Sequence, residues 1–155
     1  MNHNLPPSTD DFIQQMAYID ENIKELTSLY IYSTPIQDRV KHFFNLYLLE
    51  VEDLLEKNKP GNVIPMLPKV YIGTKVSVLY DEDNEVEEYI ICFPEQSEPD
   101  EGYISFLSPL GRQLLLKSIG EKVAIHIPSG ELAVTIKDIS YAGNLLEGYK
   151  NKKEA

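Results

Sequence analysis

A chain of 155 residues is long enough for one ordinary domain or two small ones, and an apolar content of 43% belongs to a folded protein. A net charge of −11 sets it against nucleic acid and anionic membrane surfaces, so duplex DNA is not expected as a direct partner. The single cysteine forbids an internal disulfide, no apolar run approaches a membrane span, and the start MNHNLPPSTDD lacks the parts of a secretory signal; a cytoplasmic protein is expected.

Residues 1–8 read as a flexible tail. Ser8 or Thr9 then suits a helix cap, and Asp10 and Asp11 favour the positive end of the helix dipole. Phe12, Met16, Ile19, Ile23, Leu26 and Tyr30 recur at alternating spacings of four and three, a heptad seam. A second series follows: Ile36, Val40, Phe44, Tyr47, Val51 and Leu54. Between them stands Tyr32-Ser33-Thr34-Pro35, where Thr34 suits a cap and Pro35 a first helical turn. Two such helices joined by a short turn predict an antiparallel helical hairpin over 9–58. Phe43, Leu46, Leu48, Leu49 and Leu55 lie off the seam of the second helix. A second copy of the chain, making a homodimer through helix 2, or the C-terminal domain are both candidates to cover them.

Asn58-Lys59-Pro60-Gly61-Asn62 stops the second helix and serves as a linker. Beyond it the hydrophobic period becomes two, and strands are predicted over 69–72, 75–80, 86–93, 103–106, 122–127 and 131–141. Asp81-Glu82-Asp83-Asn84 suits a hairpin turn. From Asp81 to Glu101 there are ten acidic residues and no Lys or Arg. Two readings stand for this stretch: a solvated hairpin tip and loop, or a face that meets a basic partner protein. The segment from residue 144 is polar, lysine-rich at its end, and read as a second flexible tail.

Residues 102–120, GYISFLSPLGRQLLLKSIG, have the grammar of strand, capped turn and short helix. A β-type run ends at Ser108, whose hydroxyl can accept a bond from a free N–H of the first helical turn. Pro109 sits at the first helical position, where its missing N–H costs nothing. The helix is expected over 110–118, with Gly120 ending it.

This turn resembles a known family. Ser108-Pro109-Leu110-Gly111, the leucine-rich helix, Gly120-Glu121, the strand at 123–127, the turn Pro128-Ser129-Gly130 and the strand at 131–141 are similar to the C-terminal domain of the GreA/GreB transcription factors. The likeness extends upstream to Lys69-Val70-Tyr71-Ile72-Gly73-Thr74-Lys75-Val76 and covers roughly residues 67–142. The resemblance implies an α+β architecture: an N-terminal helical hairpin, then an FKBP-like domain over 63–142, a curved antiparallel sheet around one short helix. It implies a non-enzymatic regulator that binds RNA polymerase at the rim of the secondary channel, against a coiled coil of the β′ subunit. By position, Ser108 and Pro109, with Leu107, Leu110 and Gly111 beside them, carry over as the docking residues. The other reading of Ser108-Pro109 is a plain helix start. One departure stands out: the family usually has glycine where this chain has Leu116, just before Lys117.

In the resembled cleavage factors an acidic pair at the tip of a long coiled coil helps hold a second magnesium ion at the polymerase centre. The tip here, around Tyr32, Ser33, Thr34 and Asp38, holds the one carboxylate of Asp38, which also reads as a residue satisfying the helix dipole. Each predicted helix has about 23 residues and spans roughly 35 Å. A short hairpin without a paired-acid tip resembles the short-hairpin members of the family, the regulators of nucleoside diphosphate kinase among them. Such a chain is expected to dock without stimulating transcript cleavage.

No cofactor, metal site or catalytic group is expected. His3, His42 and His126 are scattered, His126 alternates with apolar strand positions and should face solvent, and Cys92 between Ile91 and Phe93 reads as a buried apolar residue. Two rival functions remain: an FKBP-like peptidyl-prolyl isomerase, suggested by fold likeness alone, and a self-associating regulator that binds another basic protein through its acidic face.

Overall fold

The structure, a computed structural model, describes residues 6–30 and 34–144; the side chains of Ile23 and of residues 26–40 lie outside that description. Two compact units result, residues 6–65 and residues 66–144.

The first unit is a helical hairpin. Helix α1 spans Thr9–Tyr30 and α2 spans Thr34–Glu56. The backbone N–H of Ser8 donates to the Asp11 carboxylate at 2.9 Å, which fixes the start of α1. Pro35 lies in the first turn of α2, where a missing N–H is tolerated. Phe12 and Ile19 of α1 are buried, as are Phe44, Tyr47, Val51 and Leu54 of α2. These are seam positions that the heptad spacing selects; Met16, selected as well, is half-buried, and Gln15 beside it is buried instead. Ile23, Leu26, Tyr30, Ile36 and Val40 fall outside the described side chains, as do the tip residues Tyr32, Ser33, Thr34 and Asp38. The seam also holds a polar pair: the Tyr47 hydroxyl donates to Oε1 of the buried Gln15. Positions 15 and 47 lie equally far from residue 31, as an antiparallel hairpin requires. Off the seam, Leu46 is 46% exposed and Leu49 is 60% exposed.

The open end of the hairpin is tied by its flanking chain. The Gly61 N–H donates to Thr9 Oγ1 at 2.7 Å, Thr9 N–H to the Asn62 carbonyl at 3.1 Å, and Ile64 N–H to the Pro7 carbonyl at 2.7 Å. Gly61 meets this geometry at φ 79°, where a side chain would be strained. Pro7 and Ser8, expected in a flexible tail, thus pair with Ile64 and Val63, just past the linker. Residues 63–65 fall with the hairpin unit rather than with the domain that follows.

The second unit is a five-stranded sheet with one short helix. Its strands are β1 (Thr74–Tyr80), β2 (Glu85–Cys92), β3 (Tyr103–Ser105), β4 (Lys122–Ile127) and β5 (Gly130–Tyr141), with α3 (Pro109–Leu114) between β3 and β4. The order is β3-β2-β1-β5-β4. Neighbours run antiparallel except β2 and β3, which are parallel. A parallel pair needs a crossover, and two 3₁₀ turns, Pro94–Gln96 and Pro99–Glu101, supply it. Lys137 is an extra residue in β5 opposite the Ser77/Val78 step of β1, a bulge that bends the strand. Residues 69–72, expected as a strand, form a single bridge from Lys69 to Ser118 instead. The core gathers Val76, Val78, Ile91, Phe106, Leu114, Ile125, Val134 and Ile136, and Phe93 meets Phe106 edge-on at 5.6 Å between ring centres.

The strand β2 is half covered. Strand β3 pairs with it only at Ile90–Cys92, so among the described residues its outer edge from Glu85 to Tyr89 has no strand neighbour. Glu85, Val86, Glu87 and Glu88 are all exposed there.

Candidate partner-docking site

The turn between β3 and α3 is built from Ser105 and Ser108. The Ser105 carbonyl accepts two bonds from Ser108, from its N–H at 3.0 Å and from its hydroxyl at 2.6 Å. The Ser108 hydroxyl also accepts from the Gly111 N–H at 3.1 Å, which satisfies one free donor of the helix start. Ser105 Oγ accepts from the Leu107 N–H at 3.0 Å. The Ser108 proton is therefore spent inside the turn.

Gly111 is fixed by packing. A Cβ built on it would lie 2.0 Å from the Ser105 carbonyl oxygen, closer than any real contact. Only a residue without a side chain lets α3 approach β3 this closely. Gly111, one of the five sequence-predicted docking residues, is buried. Pro109 is exposed, and Leu107, Ser108 and Leu110 are half-buried. What the turn presents outward is the Pro109 ring with leucines on either side. Gln113, which sequence reasoning passed over, steadies it: its Nε2 donates to the Pro109 carbonyl at 2.9 Å. A glutamine four residues after the helix-start proline is the one signal that could have found it.

The helix ends sooner than its sequence predicts, at Leu114 rather than Ser118. Leu116 stands at φ 68°, in the left-handed region. Its N–H donates to the Val70 carbonyl at 2.7 Å, and the Val70 N–H donates to the Lys117 carbonyl at 2.9 Å. That pairing imposes a conformation costing a non-glycine residue about 1–2 kcal/mol. Gly120, expected to end the helix, instead turns the chain into β4 at φ 85°, its N–H on the Ile136 carbonyl at 2.7 Å.

The remaining candidates are simpler. His126 is exposed, its Nδ1 3.2 Å from Glu131 Oε1. Cys92 is buried, and burial, aided by Glu98, pushes its thiol up to about 12. On the acidic stretch, Lys75 approaches Glu88 at 3.6 Å, and Asn84 takes the left-handed turn position at φ 56°. Among the described residues no group of three His, Cys, Asp or Glu is placed to hold a metal, and no helix is long and apolar enough to cross a membrane.

A helical hairpin followed by a small α+β domain, with a serine-capped proline turn on the surface of that domain, defines the class of fold. Residues 66–141 match the family described as "Transcription elongation factor, GreA/GreB, C-term". Transcription elongation factor GreA of Prosthecochloris aestuarii is 44% identical over 73 residues, 46% of each chain. GreA of Nitratiruptor sp. is 35% identical over 103 residues, 64% of this chain and 61% of its own. The chain thus spans about half the length of the first curated relatives it matches. A solved GreA/GreB factor from Nitrosomonas europaea shares the fold at TM-score 0.54 and 18% identity, covering 88% of this chain and 99% of its own. Residues 66–141 accordingly carry a GreA/GreB-type C-terminal domain.

Proposed function

We propose that this chain binds RNA polymerase through its C-terminal domain, docks at the rim of the secondary channel against the β′ coiled coil, and does not stimulate transcript cleavage. The observation that carries the reading is the division of labour in the turn. Ser105, Ser108 and Gly111 are consumed in holding it, and the Pro109 ring is left exposed, with only its carbonyl engaged by Gln113. The family match of residues 66–141 supports the same partner. The hairpin supports the absence of cleavage: helices of 22 and 23 residues reach about 35 Å, and the tip sequence carries one carboxylate, Asp38. A single carboxylate holds magnesium poorly, because that ion keeps its waters and wants several oxygen ligands. The test is direct binding of the full chain to core RNA polymerase, with Pro109→Ala beside it. A folded variant of unchanged affinity would return Pro109 to the role of helix start.

A second reading rests on Leu46 and Leu49, exposed on α2. They favour self-association through helix 2. Analytical ultracentrifugation of the wild type and of Leu49→Lys decides it.

A further inference from the structure

One edge of β2 carries backbone groups that the sheet leaves unmet. The Ile90 N–H points outward, to the Gly102 carbonyl at 2.8 Å, where β3 begins. Alternate residues of a strand turn the same way, so the N–H and C=O groups of Glu88 and Val86 also point outward. Among the described residues no strand meets them. Glu85 and Glu87 turn theirs inward, onto Tyr80 and Val78 of β1.

This open step lies among carboxylates. Glu85, Glu87 and Glu88 are on β2, and Asp100 and Glu101 are on the turn that ends at Gly102; all are exposed. A Cβ on Gly102 would lie 3.2 Å from the Glu88 carbonyl oxygen, which brings that turn against the strand. Among the described residues the one cation in ion-pair range is Lys75, at 3.6 Å from Glu88, and the Ser77 hydroxyl donates to the same carboxylate at 3.3 Å. Glu85 and Glu87 are left unanswered. They share one face of β2, about 7 Å apart, the repeat at which a neighbouring strand presents its own side chains. Val86, on the other face, is 55% exposed.

We propose that the outer edge of β2 from Glu85 to Glu88 is a docking site for an extended, lysine- or arginine-bearing segment of a partner protein, which adds to the sheet as a short strand. Backbone bonds to Val86 and Glu88 seat the segment. Cations at its alternate positions meet Glu85 and Glu87. The site does not rest on the Pro109 reading.

The experiment titrates the isotope-labelled full chain with short synthetic peptides and follows amide exchange by NMR. One peptide alternates lysine with threonine, a second alternates glutamate with threonine, and a third is the lysine peptide N-methylated along its backbone. The lysine peptide should bind, slow exchange at the Val86 and Glu88 amides, and leave the Glu87 amide unchanged. Its affinity should fall as ionic strength rises. N-methylation, or Glu85→Gln combined with Glu87→Gln, should each weaken it about tenfold. Equal binding by the N-methylated peptide would reduce the effect to attraction between charges and overturn the proposal. Absence of binding, or equal binding by the glutamate peptide, would overturn it too. Protection of Val86 and Glu88 that grows with protein concentration alone would give the edge to a second copy of the chain and likewise overturn it.

Discussion

Gln113 pairs with His126 as one peptide pairs with another. Its Oε1 accepts the His126 N–H at 2.7 Å, and its Nε2 donates to the His126 carbonyl at 3.0 Å. Strand β4 is the edge of the sheet, and one side chain of α3 substitutes there for a missing sixth strand. The same nitrogen serves the Pro109 carbonyl. The helix start and the sheet edge are thereby joined through a single amide. Gln113→Ala should cost about 1 kcal/mol, since these bonds are exposed and each is worth little in water. The readouts are urea denaturation and amide exchange at His126, which should quicken while exchange at core amides such as Val78 is unchanged.

Gly111→Ala should be far more damaging. Its new methyl group would collide with the Ser105 carbonyl, a backbone atom that cannot swing aside. A loss of about 2–4 kcal/mol is expected, or failure to fold. Ser108→Ala, which removes the cap and leaves the packing intact, should cost about 1 kcal/mol. Ranking the two by urea midpoint tests whether close approach or capping dominates the turn; a milder Gly111→Ala would reverse the order argued here.

Pro109→Ala should behave oppositely. The side chain is exposed, so stability should change by less than about 1 kcal/mol, chiefly through a looser unfolded chain. Polymerase affinity should fall about tenfold if the ring is an anchor. Circular dichroism establishes that the variant is folded, and a fluorescence binding titration gives the affinity.

Cys92 should resist alkylation in the folded protein and react only on unfolding, because the thiolate is the nucleophile and burial disfavours it. The same shift predicts a pH effect. A thiol whose folded value is raised stabilises the fold fully below its unfolded value, about 9, and that contribution is lost as pH climbs toward about 12. Between those limits the wild type should lose more stability than Cys92→Ala. Parallel melting curves across that range would expose any failure of the argument.

A stalled elongation complex with labelled RNA tests the absence of cleavage. The chain alone should leave the backtracked transcript intact and, in excess, should slow a genuine cleavage factor by occupying the same rim. Cleavage by the chain alone would refute the reading of the hairpin.

Much of this was legible in the sequence, and the exceptions share a cause. Phe12, Ile19, Phe44, Tyr47, Val51 and Leu54 announce themselves by spacing, because a helix buries what lies on one stripe. Ser108 and Pro109 announce the helix start because capping is local chemistry. The end of α3 is not legible: it is set by Val70, some 46 positions upstream of Leu116, which pulls a leucine into a conformation that leucine does not favour. The parallel seat of β3 has the same origin, since pairing direction depends on a distant partner and leaves no trace in three residues. Gln15 lies in the seam bonded to the Tyr47 hydroxyl, a partner 32 positions away that spacing does not announce. At the candidate site, the close approach that makes Gly111 a spacer between α3 and β3 is likewise set by a partner outside the helix, the Ser105 carbonyl.

The bare edge of β2 bears on how this molecule treats its own copies. An uncovered strand is a template on which another strand can assemble, and sheets commonly grow into aggregates along such margins. Here the margin bears Glu85, Glu87 and Glu88, and two copies laid side by side would set carboxylate against carboxylate. Along the part of β2 that β3 leaves unpaired, charge disfavours a second copy of the same strand. The deterrent is selective, because a strand rich in lysine or arginine would find the same margin hospitable.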